Sequence, residues 1–154
     1  FENLLAGYAP SYLSLGISVK DFLDAVRGGD VDAFMTILQS ILASIPYDTA
    51  SKEKIELRER DYQIAVYLVF ALMGLFTQTE VQSATGRADC VVVTPKYVYI
   101  FEFKLKESAE DALKQIKEKN YAERYKADNK KIVLIGVSFN AEENTVSEWL
   151  SETV

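Results

Sequence analysis

The sequence contains no histidine and a single cysteine, Cys90. The missing histidine excludes Ser-His-Asp triads, histidine metal sites and zinc-deaminase chemistry. Any metal must therefore be held by oxygen, which favours magnesium, manganese or calcium. One cysteine has no partner for an intrachain disulfide or a cysteine-based zinc site, which is typical of a reducing, cytoplasmic setting.

Long hydrophobic runs are also missing. The longest, Ile64 to Phe76, is well short of the roughly 20 residues that cross a bilayer, so we expect no membrane partner. With 154 residues, of which 49% are hydrophobic and 26% charged, the chain has the composition of a folded globular domain. It opens at Phe1 rather than at methionine, from which we expect a piece of a longer polypeptide.

The net charge of −6 argues against general coating of nucleic acid, but the charge is uneven along the chain. The segment from Lys104 to Lys131 has nine basic and six acidic residues. For contact with nucleic acid, this basic segment matters more than the total charge.

Hydrophobic periodicity and turn residues predict helices first and then strands. The predicted helices run from a Ser18 cap to Gly28-Gly29, from an Asp30 cap to Pro46, from about Ile55 to Leu75, and from Ser108 to about Lys119. The predicted strands are Thr77 to Gln82, Ala88 to Val93, Val98 to Leu105 and Lys131 to Phe139, the last buried on both faces. A polar turn and a short segment ending near Leu150 follow.

The predicted order is helix, three-strand antiparallel meander, crossover helix and strand, preceded by extra helices. This is an α/β (α+β) arrangement, in which the short connections make the first three strands antiparallel. Residues 1–54 are expected to be an N-terminal helical extension or a linker from a preceding domain. Residues 55–154 are expected to form the domain itself.

Two neighbouring strands carry charged residues on what should be one face. Glu102 and Lys104 alternate with aromatic residues, and Asp89 falls on one face of the preceding strand. Two carboxylates brought together by the hairpin would repel, and a divalent cation would resolve this conflict. Acid, acid and lysine form a set suited to phosphodiester cleavage. The alternative is that this face is solvated and its charges are ordinary surface groups.

Four segments form a longer pattern: Gly86-Arg87-Ala88-Asp89, Tyr99-Ile100-Phe101-Glu102-Phe103-Lys104-Leu105, Gln115-Ile116-Lys117 and Tyr121-Ala122-Glu123-Arg124-Tyr125. Together they resemble the PD-(D/E)XK nuclease-superfamily domain that follows an AAA-ATPase-like domain in many bacterial proteins. The resemblance covers about Arg58 to Leu150. Ala88 stands where the superfamily is named for a proline.

The resemblance implies a restriction-endonuclease-like core and a nuclease that hydrolyses phosphodiester bonds with Mg²⁺ or Mn²⁺. The substrate would be nucleic acid, DNA in preference to RNA. Asp89 and Glu102 would bind the metal, Lys104 would be the catalytic lysine, and Glu59 and Gln115 would be auxiliary site residues. Glu59 lies between two arginines, so a solvated ion pair is an alternative role for it.

Four further residues are candidates for contact with nucleic acid, namely Arg87, Lys114, Lys117 and Tyr121. The lysines also fit a solvated helix face, and Arg87 also fits a strand edge that faces water. Tyr121 reaches the site only if the helix breaks at Asn120, because six residues of continuous helix rotate it about 120° from Gln115.

Two non-enzymatic alternatives remain open at the level of sequence. One is a catalytically weak or inactive nuclease-fold module that binds nucleic acid or a partner and serves an upstream ATPase-like domain. The other is a structural domain in which Asp89, Glu102 and Lys104 form a buried ion-pair network.

Overall fold

The computed structural model describes residues 19–44, 64–67, 69, 76–83, 86–140 and 145–154, and of residues 76–83 and 86–88 the backbone alone. Two helices come first, α1 (Val19–Gly28) and α2 (Val31–Ser44). Between them Gly29 has a φ of +80° and packs its backbone against the Tyr97 ring, which confirms the predicted glycine stop. Asp30 Oδ1 accepts the Ala33 amide at 3.2 Å, which confirms the predicted cap.

Some predicted helix limits cannot be compared with the structure. These are the outer limits of α1 and α2 and most of the helix predicted from Ile55 to Leu75. Ser18 and Pro46 lie outside the described residues. Of the helix predicted from Ile55 to Leu75, residues 64–67 and 69 are described, and all five are helical.

Five strands form one sheet in the order β1-β2-β3-β4-β5. They are β1 (Phe76–Ser83), β2 (Gly86–Val93), β3 (Tyr97–Lys104), β4 (Lys131–Asn140) and β5 (Thr145–Thr153). The first three pair antiparallel, β4 is parallel to β3, and β5 is antiparallel to β4. The Thr94 amide donates to the Tyr97 carbonyl at 2.8 Å and closes the β2–β3 turn, so the predicted meander is confirmed.

The crossover from β3 to β4 is made by helix α3 (Ala109–Glu118) and a 3₁₀ segment (Tyr121–Asp128). Ser108 and Asp111 form a reciprocal capping box at the start of α3, as predicted. Asn120 has a φ of 53°, in the left-handed region that an asparagine tolerates, and the helix ends before it. The predicted break at Asn120 is therefore confirmed.

The sheet is covered on both faces, so the fold has three layers. One core joins α1 and α2 to the sheet face that carries Tyr99, Phe101 and Phe103. It also contains Val66, from the helical residues 64–67. The other core joins α3 and the 3₁₀ segment to the face that carries Val91 and Ile100. Strand β4 is buried along almost its whole length, as its near-continuous apolar run predicts.

The final element corrects the sequence prediction. The segment expected to end near Leu150 is a nine-residue strand that continues to Thr153. The burial of β5 falls from Thr145 and Val146 towards an exposed, polar end, because it is an edge strand with one neighbour. That polar half removed the hydrophobic alternation by which a strand is recognised.

The N-terminal helices are attached to the sheet by polar contacts as well as by the core. Gln39 Nε2 donates to the Val146 carbonyl at 2.7 Å, and Trp149 Nε1 donates to Asp32 Oδ1 at 2.9 Å. The boundary near residue 54 stays a prediction, but α1 and α2 pack as a layer of the same core. In the described part of the chain, each helix is too short or too polar to span a bilayer.

Candidate active site

Asp89 lies where the backbone ladder between β2 and β3 ends. The paired residues run from Val93↔Val98 to Cys90↔Phe101, and this register places Asp89 next to Glu102. Beyond that point, Asp89 Oδ2 accepts the backbone amide of Phe103 at 2.9 Å. A side chain thus takes over from the backbone of β2 at the site, and it fixes the Asp89 carboxylate against β3.

Asp89 and Glu102 lie on the same face of the sheet. Each is two residues from a member of the α3-side core, Val91 and Ile100 respectively, and those two residues are paired with each other. Cys90 and Phe101, which alternate with the acids, belong to the opposite core. The sequence argument for a shared carboxylate face therefore agrees with the register.

Glu102 is buried, with 4% of its surface exposed. The solvated-face interpretation of β3 is therefore wrong, because helix α3 covers this face. Gln115 Nε2, on α3, donates to Glu102 Oε1 at 2.5 Å. The amide brings a dipole without a full charge, and it fixes one carboxylate oxygen while the second has its own lone pairs for other ligands.

Lys104 is at the end of β3, on the same face as Glu102, and its side chain is 19% exposed. Its Nζ lies 3.6 Å from Glu107 Oε2, and the Glu107 side chain is 59% exposed. Ser138 Oγ donates to the Glu107 carbonyl at 2.8 Å, so the turn that carries this acid is attached to β4. The ammonium is therefore held near the rim of the site, by an acid that sequence reasoning did not single out.

The remaining predicted residues are distributed differently. Glu59 and the side chain of Arg87 lie outside the described part of the chain. Lys114 and Lys117 are exposed on α3 and form ion pairs with Glu118 and Glu152, the first at 3.9 Å. Tyr121 is 2% exposed within the α3-side core, which leaves almost none of its surface for a nucleic-acid backbone.

Helix α3 is seated closely on the sheet, and two residues that the sequence analysis missed are involved. Gly136 of β4 is the register neighbour of Glu102, and a Cβ there would meet the backbone of α3. Glu148 Oε1 of β5 accepts the Ala109 amide at the first turn of α3 at 2.8 Å. The glycine inside an otherwise apolar strand was a signal of close approach that the sequence analysis did not use.

Cys90 is a core residue beside the site rather than a member of it. It is fully buried among the α1 and α2 layer, as predicted. Burial raises the pKa of its thiol above the ordinary range, and the neighbouring Asp89 charge raises it further. A protonated, inaccessible thiol has neither nucleophilic nor metal-binding character.

The donor set for a metal consists of two carboxylates in the described part of the chain. No group of three or more acidic or thiol side chains gathers there into a metal cluster. Two carboxylates are a sufficient protein contribution for Mg²⁺, which keeps several waters and seldom uses an all-protein cage. The residues present therefore fit a hard divalent ion held by oxygen.

Comparison with known proteins assigns the family. A family model described as the PD-(D/E)XK nuclease superfamily matches residues 57–149. The chain belongs to this superfamily. The helix, meander, crossover helix and parallel strand seen here are its restriction-endonuclease-like core, so the predicted fold class is confirmed. PD-(D/E)XK nucleases generally use divalent metal ions.

A second comparison extends the similarity to the N-terminal helices, which the family model does not cover. An uncharacterized protein in the vnfD 5′ region of Azotobacter chroococcum mcd 1 is 33% identical over 155 residues, which are 99% of this chain and 30% of that protein. The chain therefore spans less than a third of the length of the curated relative it matches. No solved structure matches the chain.

Proposed function

We propose that this PD-(D/E)XK domain is a metal-dependent nuclease in which Asp89 and Glu102 bind the ion and Lys104 is the catalytic lysine. The observation that supports this most is the pairing register, which brings a half-buried and a buried carboxylate together on one face where the β2–β3 ladder ends. Burying like charges side by side is costly without a cation between them. We propose Mg²⁺ or Mn²⁺ as that cation and nucleic acid, DNA ahead of RNA, as the substrate.

Each residue of the site has a distinct task in this proposal. A bound divalent ion supplies Lewis-acid polarisation of the phosphate and activation of a water. Asp89 is oriented by the Phe103 amide and Glu102 by Gln115, so the two metal-binding carboxylates need little rearrangement. Lys104 has a positive charge at the rim, where it stabilises negative charge that builds on the phosphate. Glu59 stays a proposed auxiliary residue.

The alternative function is a nuclease-fold module with little activity that binds nucleic acid or a partner protein. The charges of α3 favour it, since Lys114 and Lys117 both have acidic partners and the whole chain has a net charge of −6. The chain covers 30% of its relative, which leaves room for another domain in such a protein. We propose an AAA-ATPase-like domain as that partner, in a bacterial and cytoplasmic setting suited to the free thiol of Cys90.

Substitution of Lys104 separates catalysis from metal binding better than substitution of Asp89 or Glu102 does. Lys104→Ala should leave Mn²⁺ affinity nearly unchanged and lower cleavage by on the order of a hundredfold, as expected for one preorganised electrostatic group. Lys104→Arg should not restore cleavage, because a planar guanidinium does not replace a compact ammonium. Lys106→Ala, at an exposed position two residues further along the chain, is the matched control and should cleave normally.

The assay is single-turnover cleavage of single- and double-stranded DNA and RNA in Mg²⁺ or Mn²⁺, with chelator as blank. If Lys104→Ala cleaves as fast as the parent, the catalytic assignment is wrong. If no variant and no parent cleaves any of the substrates, yet all of them bind nucleic acid equally, the module function replaces the nuclease.

A further inference from the structure

The closest contact between the sheet and helix α3 lies beside Glu102. Glu102 and Gly136 are register partners on the neighbouring parallel strands β3 and β4, which places them about 4.8 Å apart. A Cβ built on Gly136 points to the same side as the Glu102 side chain. It would meet the Ala109 carbonyl, the Leu113 nitrogen at 2.6 Å and the Ala112 Cβ at 3.1 Å.

The atoms that occupy this space are mostly helix backbone, which cannot rotate away as a flexible side chain can. Ordinary van der Waals contact begins at 3.4 Å, so the backbone at Leu113 would withdraw by about 0.8 Å to admit a methyl group. Ala112, which is fully buried, is the small side chain that α3 turns towards this contact, and Ala109 contributes its carbonyl. The close approach therefore depends on the absence of a side chain at position 136.

The same approach determines where Gln115 lies. Gln115 is three residues after Ala112, and residues at this spacing lie on the same side of a helix. Its amide donates to Glu102 at 2.5 Å. A withdrawal of about 0.8 Å along this direction lengthens the distance to about 3.3 Å, outside the range of about 2.7–3.2 Å for N–H···O hydrogen bonds.

We infer that Gly136 is a positioning residue of the active site: its missing side chain lets α3 lie directly on β4, and this places the Gln115 amide on the metal-binding carboxylate Glu102. The catalytic part of this inference rests on the proposed nuclease function. The structural part does not, because the hydrogen bond between Gln115 and Glu102 joins two side chains of the chain itself.

The first test follows the Gln115 side-chain amide by ¹⁵N–¹H correlation NMR, assigned by its loss in Gln115→Ala. A hydrogen bond to a carboxylate gives this amide a distinctive shift, since charge-assisted bonds are short and strong. Gly136→Ala should move the signal to the position of a solvent-exposed glutamine. Gly28→Ala is the control, because a Cβ at Gly28 meets nothing within 4 Å. An unmoved signal in folded Gly136→Ala overturns the inference, whether or not the protein cleaves nucleic acid.

The second test is a double-mutant cycle on single-turnover cleavage in Mn²⁺. Gln115→Ala and Gly136→Ala should each lower the rate by roughly tenfold to a hundredfold, typical for loss of a residue that orients a metal ligand. The double variant should be little slower than either single one, because both changes remove the same contact. Multiplying effects would show that Gly136→Ala acts by another route and would overturn the positioning role. A parent that neither cleaves nor binds Mn²⁺ refutes the nuclease instead, and the NMR test still decides the inference.

A third pair of variants covers the case in which Gly136→Ala does not fold. Glu148→Ala removes the acceptor of the Ala109 amide at the start of α3, without adding bulk to the contact. It should shift the Gln115 signal in the same direction, and Glu148→Gln, which retains an acceptor oxygen, should restore it. If Glu148→Ala leaves the signal unchanged, the position of α3 on the sheet does not determine the position of the Gln115 amide, and the inference is wrong.

Discussion

Two substitutions of Asp89 can separate metal binding from structural support. Its carboxylate accepts the Phe103 amide, and in the proposed site it also binds the metal. Asp89→Asn keeps an oxygen that can accept the Phe103 amide but removes the charge, whereas Asp89→Ala removes both. In chelator, loss of the charge weakens the hydrogen bond and also relieves repulsion with Glu102. These opposing effects should leave Asp89→Asn close to the parent in free energy of unfolding. Asp89→Ala should lose about 1.5–3 kcal/mol, the range for a hydrogen bond to a charged group.

Adding metal should separate the parent from Asp89→Asn, whose free energies of unfolding are expected to be nearly equal in chelator. An ion at a hundred times its dissociation constant stabilises the folded state by about 2.7 kcal/mol. The parent should gain this amount in Mn²⁺, and neither Asp89 variant should gain it. Urea unfolding with and without Mn²⁺ measures the difference, and Asp24→Asn, an exposed acid on α1, is the control that should behave as the parent. Equal stabilisation of the parent and Asp89→Asn by Mn²⁺ would refute the metal-site assignment.

Two further predictions concern stability. A fragment that starts at residue 55 lacks α1 and α2, exposes the aromatic face of β3 and should bind a hydrophobic dye without a cooperative urea transition; cooperative unfolding of the fragment would show that the helical layer is dispensable. The free energy of unfolding should also fall as the pH rises above about 9, the ordinary pKa of a thiol, because burial raises the pKa of Cys90. The folded state therefore retains the thiol proton more tightly than the unfolded chain does. This contribution is fully present below that pH. Cys90→Ala should remove the loss of stability that begins near pH 9. It should leave the loss above pH 10, because burial likewise raises the pKa of Tyr99. An unchanged pH profile in Cys90→Ala would contradict the role of the buried thiol.

The elements that sequence predicted well are those determined by neighbouring residues. The capping box at Ser108 and Asp111, the left-handed break at Asn120 and the tight turn after Thr94 depend on contacts within three residues. Their chemistry is complete within a short window of sequence. The same holds for the alternation of β3, which correctly separated Glu102 from its aromatic neighbours.

The features that sequence missed depend on partners far along the chain. Alternation shows which residues share a face, but not that α3 covers that face and buries Glu102. Likewise Glu148 meets Ala109 across 39 residues, and its strand forms because β4 offers a free edge. Whether a strand can pair with an edge depends on the assembled sheet, so the residues of the final segment alone do not predict β5.

The position of the site in the sheet follows from the balance between hydrogen bonding and charge. Where the backbone ladder of β2 and β3 stops, an amide of β3 needs a new acceptor, and the Asp89 carboxylate provides it. Asp89 is half-buried at this point, while α3 keeps bulk water from Glu102. Removing a carboxylate from water costs several kcal/mol unless opposite charge compensates it. A fold that keeps Glu102 in this place is therefore expected to gain stability when a cation binds. This expectation links the buried acid, the helix packed on Gly136 and the proposed metal dependence.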